Sequence, residues 1–189
     1  MEGKKNIVFG FLFLVITASL GPYMVVNLLP GAEKASLDKQ KVLSDLQLLV
    51  MSEFENAETL ETMTADEIAK ANSAAILALN TNLNARVTID TIKGGPHAHG
   101  NLEALLNIVV GLMLGFLTLP SLYKQIISWV FIVGTTMHAG MAFLGVFGFS
   151  WAGMLLATGI GPVLILLGLF LMGVATFIGY KYTALQKPH

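Results

Sequence analysis

Four stretches of the chain are apolar with little interruption and long enough to cross a bilayer, which takes about 20 residues at 1.5 Å each. They run from about Ile7 to Leu29, Leu102 to Leu119, Ile126 to Phe149 and Trp151 to Tyr180. Between the first and second the pattern changes. Thr64 followed by Glu67 has capping-box spacing, and Ile68, Ala71, Ala75, Ile76, Leu79 and Leu83 then recur at helical intervals. A second helical pattern passes through Val42, Leu43, Leu46, Leu49 and Val50. Gly94, Gly95 and Pro96 are predicted to stop the helix before the chain turns into span two. The expected fold is therefore an all-α integral membrane four-helix bundle with an external helical hairpin between spans one and two. Its parts are a first transmembrane helix (1–31), an external helical insertion (32–98) and a three-transmembrane-helix bundle (99–189).

Composition supports this reading. Of 189 residues, 54% are hydrophobic and only 12% charged, against about 25% charged in a soluble domain; mean hydropathy is +0.71. An ordinary soluble enzyme and a disordered tail are excluded. A net charge of −1 gives no basic surface for nucleic acid, so none is expected as a partner. The absence of cysteine excludes disulfides, thiolate zinc sites, iron–sulfur clusters and thiol catalysis. Lys4 and Lys5 ahead of an apolar core resemble a secretory signal, but the length of that core favours a retained anchor.

Charge also sets an orientation. Lys4, Lys5, Lys124, Lys181 and Lys187 fall on one side if four spans alternate, whereas the insertion carries six basic residues against ten acidic ones. Both termini are expected in the cytoplasm and residues 32–98 on the outer side. Trp129, Trp151, Tyr123, Tyr180 and Tyr182 lie near span ends as interfacial anchors.

Candidate chemistry concentrates at Pro96-His97-Ala98-His99-Gly100-Asn101-Leu102-Glu103, with Asn107 a turn further on. On a helix, His99, Glu103, Asn107 and Gly111 form a single i, i+4 ridge. A carboxylate and an amide on that ridge should face the bundle. Gly111 and Gly115 form a G-x-x-x-G that admits a second helix. The alternative is structural: Asn101 caps the helix, Glu103 answers its positive end, and His97 and His99 are solvated. His138, well inside span three, either binds a metal or haem, relays protons, or hydrogen-bonds a neighbouring helix. Counting inward, Asn107 is about 12 Å inside His99 and His138 about 16 Å inside Phe149. That puts Asn107 and His138 near one level and separates His99 from His138. A haem held by both is not expected, because axial nitrogens lie about 4 Å apart across iron. One histidine ligand with an open sixth position is. Gly159, Gly161 and Pro162 interrupt span four and are expected to kink it.

Two short motifs resemble the styrene oxide isomerase family of four-helix membrane proteins. Where that family reads H-L-E-G-L-M-N, this chain has Asn101-Leu102-Glu103-Ala104-Leu105-Leu106-Asn107; where it reads G-T-Y-A-N, this chain has Gly134-Thr135-Thr136-Met137-His138. The resemblance implies haem b and the opening of epoxides to aldehydes. The family's iron-ligating histidine aligns with Asn101 and its substrate-positioning tyrosine with Thr136, while its helix-two asparagine is kept as Asn107. The Pro-His-Ala-His run is also similar to helix starts in haem-bearing membrane oxidase relatives.

The resulting expectation is haem b in the outer half of the bundle. Iron is ligated by His99, or by His97 or His138, and Glu103 orients the His99 imidazole. Asn107 and His138 line the distal pocket as the catalytic candidates, and Gly111 and Thr136 lie against the cofactor. Such a site serves small-ligand binding, electron transfer or isomerase-like Lewis-acid chemistry. The alternative is a non-catalytic subunit of a larger membrane complex, meeting copies of itself or other subunits through glycine-rich helix faces. A proton or solute pathway ranks last, because Glu103 and His138 leave the inner half without ionisable groups.

Overall fold

The computed structural model describes residues 3–55 and 60–179, and the regular structure among them is all helical. An isolated antiparallel bridge joins Glu55 to Thr62. Nine α-helical segments follow in order: α1 Lys4–Ala18, α2 Leu20–Tyr23, α3 Leu29–Met51, α4 Ala65–Ile92, α5 Ala98–Phe116, α6 Ser121–Thr135, α7 Met141–Val146, α8 Ser150–Ala157 and α9 Ile160–Gly179. Wide turns of the π type at Met24–Leu28 and Thr136–Gly140 join several of them into longer runs, and Lys93–His97 links α4 to α5 across a kink. Four runs are long and apolar enough to cross a membrane: Lys4–Met51, Ala65–Phe116, Ser121–Val146 and Ile160–Gly179. Tyr180, Lys181, Tyr182, Lys187 and His189 lie outside the described residues.

Gly94, Gly95 and Pro96 interrupt the helix: Gly95 leaves helical geometry at φ −97°, ψ −107°, a kink that separates α4 from α5 with Pro96 directly after it. One sequence expectation is corrected here. The fourth apolar stretch is not one kinked helix. It breaks at Gly159, whose φ of +70° suits glycine; α8 packs back on α7, and the long helix begins at Ile160.

The contacts divide the chain into two compact units, one of Met1–Gly21 with Thr91–His189 and one of Pro22–Asp90. In the first unit α1 and α5 run antiparallel in a close register set by small residues. A side chain at Gly10 would meet the Ala104 carbonyl at 2.6 Å, and one at Gly111 would meet the Gly3 carbonyl at 2.6 Å; one at Gly100 would collide with Thr17. Gly115, the other half of the G-x-x-x-G, has open space beside it. The small residues of α5 that admit its neighbour are thus Gly100, Ala104 and Gly111. α6 and α9 are also antiparallel, with Phe131 fully buried against Gly168, Gly161 against the backbone of Met137 and His138, and the Thr118 amide donating to the Gly179 carbonyl at 2.9 Å. Leu114, Ile127, Phe131, Ile165 and Met172 form the apolar core where α5, α6 and α9 meet.

The pattern of burial in this unit is inverted relative to a water-soluble protein. α1 buries Asn6, Gly10 and Thr17 and exposes Phe11, Leu12 and Val15. α9 buries four residues no larger than alanine, among them Gly161 and Gly168, and exposes Leu166, Phe170 and Phe177.

In the second unit, the covered positions of α4 are Ile68, Ala71, Ala75, Ala78, Asn82, Ala85 and Ile89, and those of α3 include Ala32, Ala35, Lys39, Val42, Leu46 and Leu49. Both follow the alternating three-and-four spacing of a coiled-coil seam. Ala32 and Ser36 of α3 line one cavity of about 390 Å³ with Arg86 and Ile89 of α4. Ile76, Leu79 and Leu83, which belong to the helical pattern seen in the sequence, are exposed at 65%, 40% and 61%. The covered stripe of α4 is thus the one rich in alanine.

Candidate metal centre

The centre is assembled from two segments, each supplying a side chain that its local structure directs inward. α5 presents His99 and Glu103 one turn apart on the expected ridge, Glu103 buried and His99 exposed. His138 comes from the wide turn Thr136–Gly140, which inserts an extra residue into the α6 run and changes the phase of the side chains after it. The His138 Nδ1 and Glu103 Oε1 are 2.5 Å apart, and the rings of His99 and His138 lie 5.0 Å apart between centres. One donor atom from each of His99, Glu103 and His138 falls within 4.8 Å of the others. The second carboxylate oxygen, Glu103 Oε2, is buried without a hydrogen bond among the described residues.

Behind Glu103 runs a polar network through an otherwise apolar interior. Ser128 Oγ donates to Asn6 Oδ1. Asn6 Nδ2 donates to Asn107 Oδ1 at 3.0 Å and to the Ser128 carbonyl at 3.1 Å. Asn107 Nδ2 donates to the Glu103 carbonyl at 3.0 Å and to Thr135 Oγ1 at 2.9 Å. Asn6, Asn107, Ser128 and Thr135 are all fully buried.

The sequence-predicted site residues separate into those this centre gathers and those it does not. His99, Glu103 and His138 come together. His97 stands apart, its Nδ1 donating to the Thr17 carbonyl at 3.0 Å. Asn107 is enclosed, with both amide hydrogens and its oxygen engaged. Gly111 faces α1, and exposed Thr136 donates to the Ile132 carbonyl at 2.8 Å. Asn101 is no helix cap, because α5 is already established before it; its Oδ1 accepts from Thr17 Oγ1 at 2.8 Å.

Two expectations about geometry change. His138, not His99, is the imidazole that Glu103 holds. The separation of His99 from His138 also fails: depth was counted along straight helices from His99 and Phe149, but α7 ends at Val146 and the helix before it carries a wide turn. Asn6, Ser128 and Thr135 were passed over. Their signal is spacing, since Ser128, Thr135 and His138 stand seven and three residues apart on one helical face, and Asn6 shares a face of α1 with Gly10 and Thr17.

In chemical terms the centre offers two imidazoles and a carboxylate, a set suited to zinc, iron, manganese and similar divalent ions. Around a tetrahedral ion, donors lie about 3.4 Å apart. The donor atoms here are spread by up to 4.8 Å. A buried, unpaired carboxylate oxygen is the kind of group that a cation satisfies. Haem between His99 and His138 does not fit: across a porphyrin the two ring centres would be about 6 Å apart, farther than the 5.0 Å found. No family model, curated protein or solved structure matches the chain.

Proposed function

We propose that this protein is an integral membrane four-helix bundle that binds a divalent first-row metal ion through His99, Glu103 and His138. The observation that carries the metal reading is the convergence of the three donors, with Glu103 Oε2 buried and unpaired. Membrane insertion is supported by the inverted burial of α1 and α9: large apolar side chains point outward, and polar or small ones meet neighbouring helices. Orientation is supported by Lys5, whose Nζ donates to Gln125 Oε1 and lies 4.3 Å from the Trp129 ring centre. The basic start of α1 and the connection carrying Lys124 thus share one end, the cytoplasmic end under the positive-inside rule; the metal lies toward the outer end. A protein-held divalent ion with open coordination positions acts as a Lewis acid or activates a bound water. The test is titration of the purified, detergent-solubilised protein with Co²⁺. The reading requires a stoichiometric site with ligand-field bands of two imidazoles and a carboxylate, and binding no tighter than that of the Glu103→Gln variant would overturn it.

A second reading places haem b on His99 alone, as the family resemblance implies. It is favoured by the exposure of His99 and by its freedom from hydrogen bonds among the described residues. It requires a Soret band after haem-replete expression, and that band must vanish in His99→Ala.

A further inference from the structure

Leu29, Glu33, Ser36 and Leu37 stand on one face of α3, four, seven and eight residues apart from the first. They face Arg86 and Ile89 of α4 across the cavity of about 390 Å³, which is within the size of a small-molecule pocket. Arg86 is the chain's one arginine, and Glu33 lines the same cavity with the opposite charge. The two do not meet: among the described residues neither makes an ion pair or a side-chain hydrogen bond. A guanidinium fork and a carboxylate are thus presented to one space, each with its bonding capacity free.

Charge and apolarity are ordered along both walls. Leu29 closes the first apolar stretch of the chain, and Ile89 is the lining residue of α4 nearest in sequence to span two. Glu33 stands about one turn beyond Leu29, Ser36 about two, and Arg86 just under one turn before Ile89. The end of each wall at which the chain leaves or re-enters the bilayer is therefore apolar, and the charged groups lie farther along. Leu37 flanks those groups at the far end. An amphiphile matches that order, with its chain along Leu29 and Ile89 and its head among Glu33, Ser36 and Arg86. Phosphate suits the planar fork of Arg86 with the Ser36 hydroxyl as a further donor. Glu33 opposes a head that is only anionic and attracts one that also carries an ammonium.

We propose that this cavity binds a phospholipid whose head carries both a phosphate and a primary ammonium, as in phosphatidylethanolamine, with Arg86 and Ser36 on the phosphate and Glu33 on the ammonium. The site draws on membrane insertion and is independent of any metal at Glu103. A lipid seated there bridges α3 and α4, so it should also stabilise the folded protein against heat.

Native mass spectrometry of the full chain in detergent, titrated with dioleoyl phosphatidylethanolamine and separately with dioleoyl phosphatidylglycerol, tests the assignment. The wild type should bind the ethanolamine lipid severalfold more tightly than the glycerol lipid. Arg86→Gln should weaken both by about tenfold or more, the loss expected for a charge-assisted hydrogen bond. Glu33→Gln should weaken the ethanolamine lipid and strengthen the glycerol lipid, cancelling the preference. Both side chains are exposed, so the circular dichroism of the two variants should match the wild type. Should either not assemble, Ser36→Ala removes one phosphate donor and should still weaken the ethanolamine lipid severalfold. Equal binding of the two lipids by the wild type overturns the proposal, as does binding indifferent to these substitutions. So does phosphoethanolamine without acyl chains binding as tightly as the lipid, since the apolar end of the cavity would then contribute nothing.

Discussion

Glu103 and His138 stand 35 positions apart in sequence and 2.5 Å apart in space, so a helix-two carboxylate takes its partner from another helix and leaves its own neighbour His99 unengaged. That arrangement converts a ridge on one helix into a three-donor centre built by two segments.

Substitutions in the centre should separate ligands from bystanders. Glu103→Gln and His138→Ala are expected to lower the affinity of the purified protein for Co²⁺ or Zn²⁺ at least tenfold. His97→Ala should leave it unchanged, because the His97 ring is committed to the Thr17 carbonyl. Metal titrations of the three variants check this, and equal losses in all three would point to a general disruption of the fold.

The contact between α1 and α5 should not tolerate a branched side chain. At Gly10 a first side-chain carbon would lie 2.6 Å from the Ala104 carbonyl and 2.7 Å from Ile108. Gly10→Val is therefore expected to cost about 1–3 kcal/mol and Gly115→Ala, with open space, almost nothing. Thermal or denaturant unfolding in detergent compares them.

How much of this was legible follows from what each pattern encodes. The apolar runs and the His99–Glu103–Asn107 ridge depend only on helical spacing, which sequence displays directly. The partners of that ridge depend on helix register, and register here is set by where a backbone can approach Gly10, Gly100 and Gly111. The wide turn before Met141 has no strong local signature: Gly140 ends it, but glycine is frequent throughout these spans. α4 carries an apolar stripe at Ile76, Leu79 and Leu83 beside its covered alanine-rich stripe, and hydrophobicity alone does not say which of the two is buried.

On the covered stripe of α4, Asn82 is 5% exposed, and its Nδ2 has no hydrogen-bond partner among the described residues. A buried donor without a partner costs about 1–3 kcal/mol, so Asn82→Ala is expected to raise the unfolding midpoint of the protein.

The start of α4 offers a pH prediction. The backbone amide and hydroxyl of Thr64 both donate to Glu67 Oε2 at 2.8 Å, and the Glu67 amide returns a bond to Thr64 Oγ1 at 3.3 Å. These bonds hold the Glu67 carboxyl below its ordinary value, the backbone bond contributing most. A depressed carboxyl stabilises the helix start above the carboxyl's unfolded value and loses that contribution as pH falls through its folded value. The protection of the first-turn amides of α4, relative to their intrinsic exchange rates, should therefore fall as pH drops below the ordinary glutamate range, and Thr64→Ala should abolish the dependence.

The extra residue carried by Thr136–Gly140 makes the run from Ser121 to Val146 two helices out of phase with each other. Deleting one residue there would return it to a regular spiral and swing everything beyond by about 100°, carrying the His138 ring off the carboxylate while Thr135, ahead of the defect, kept its place. The pairing of helix two with helix three is thus keyed twice, once by an amide and once by an imidazole, and a single loop of surplus backbone keeps both keys in their locks.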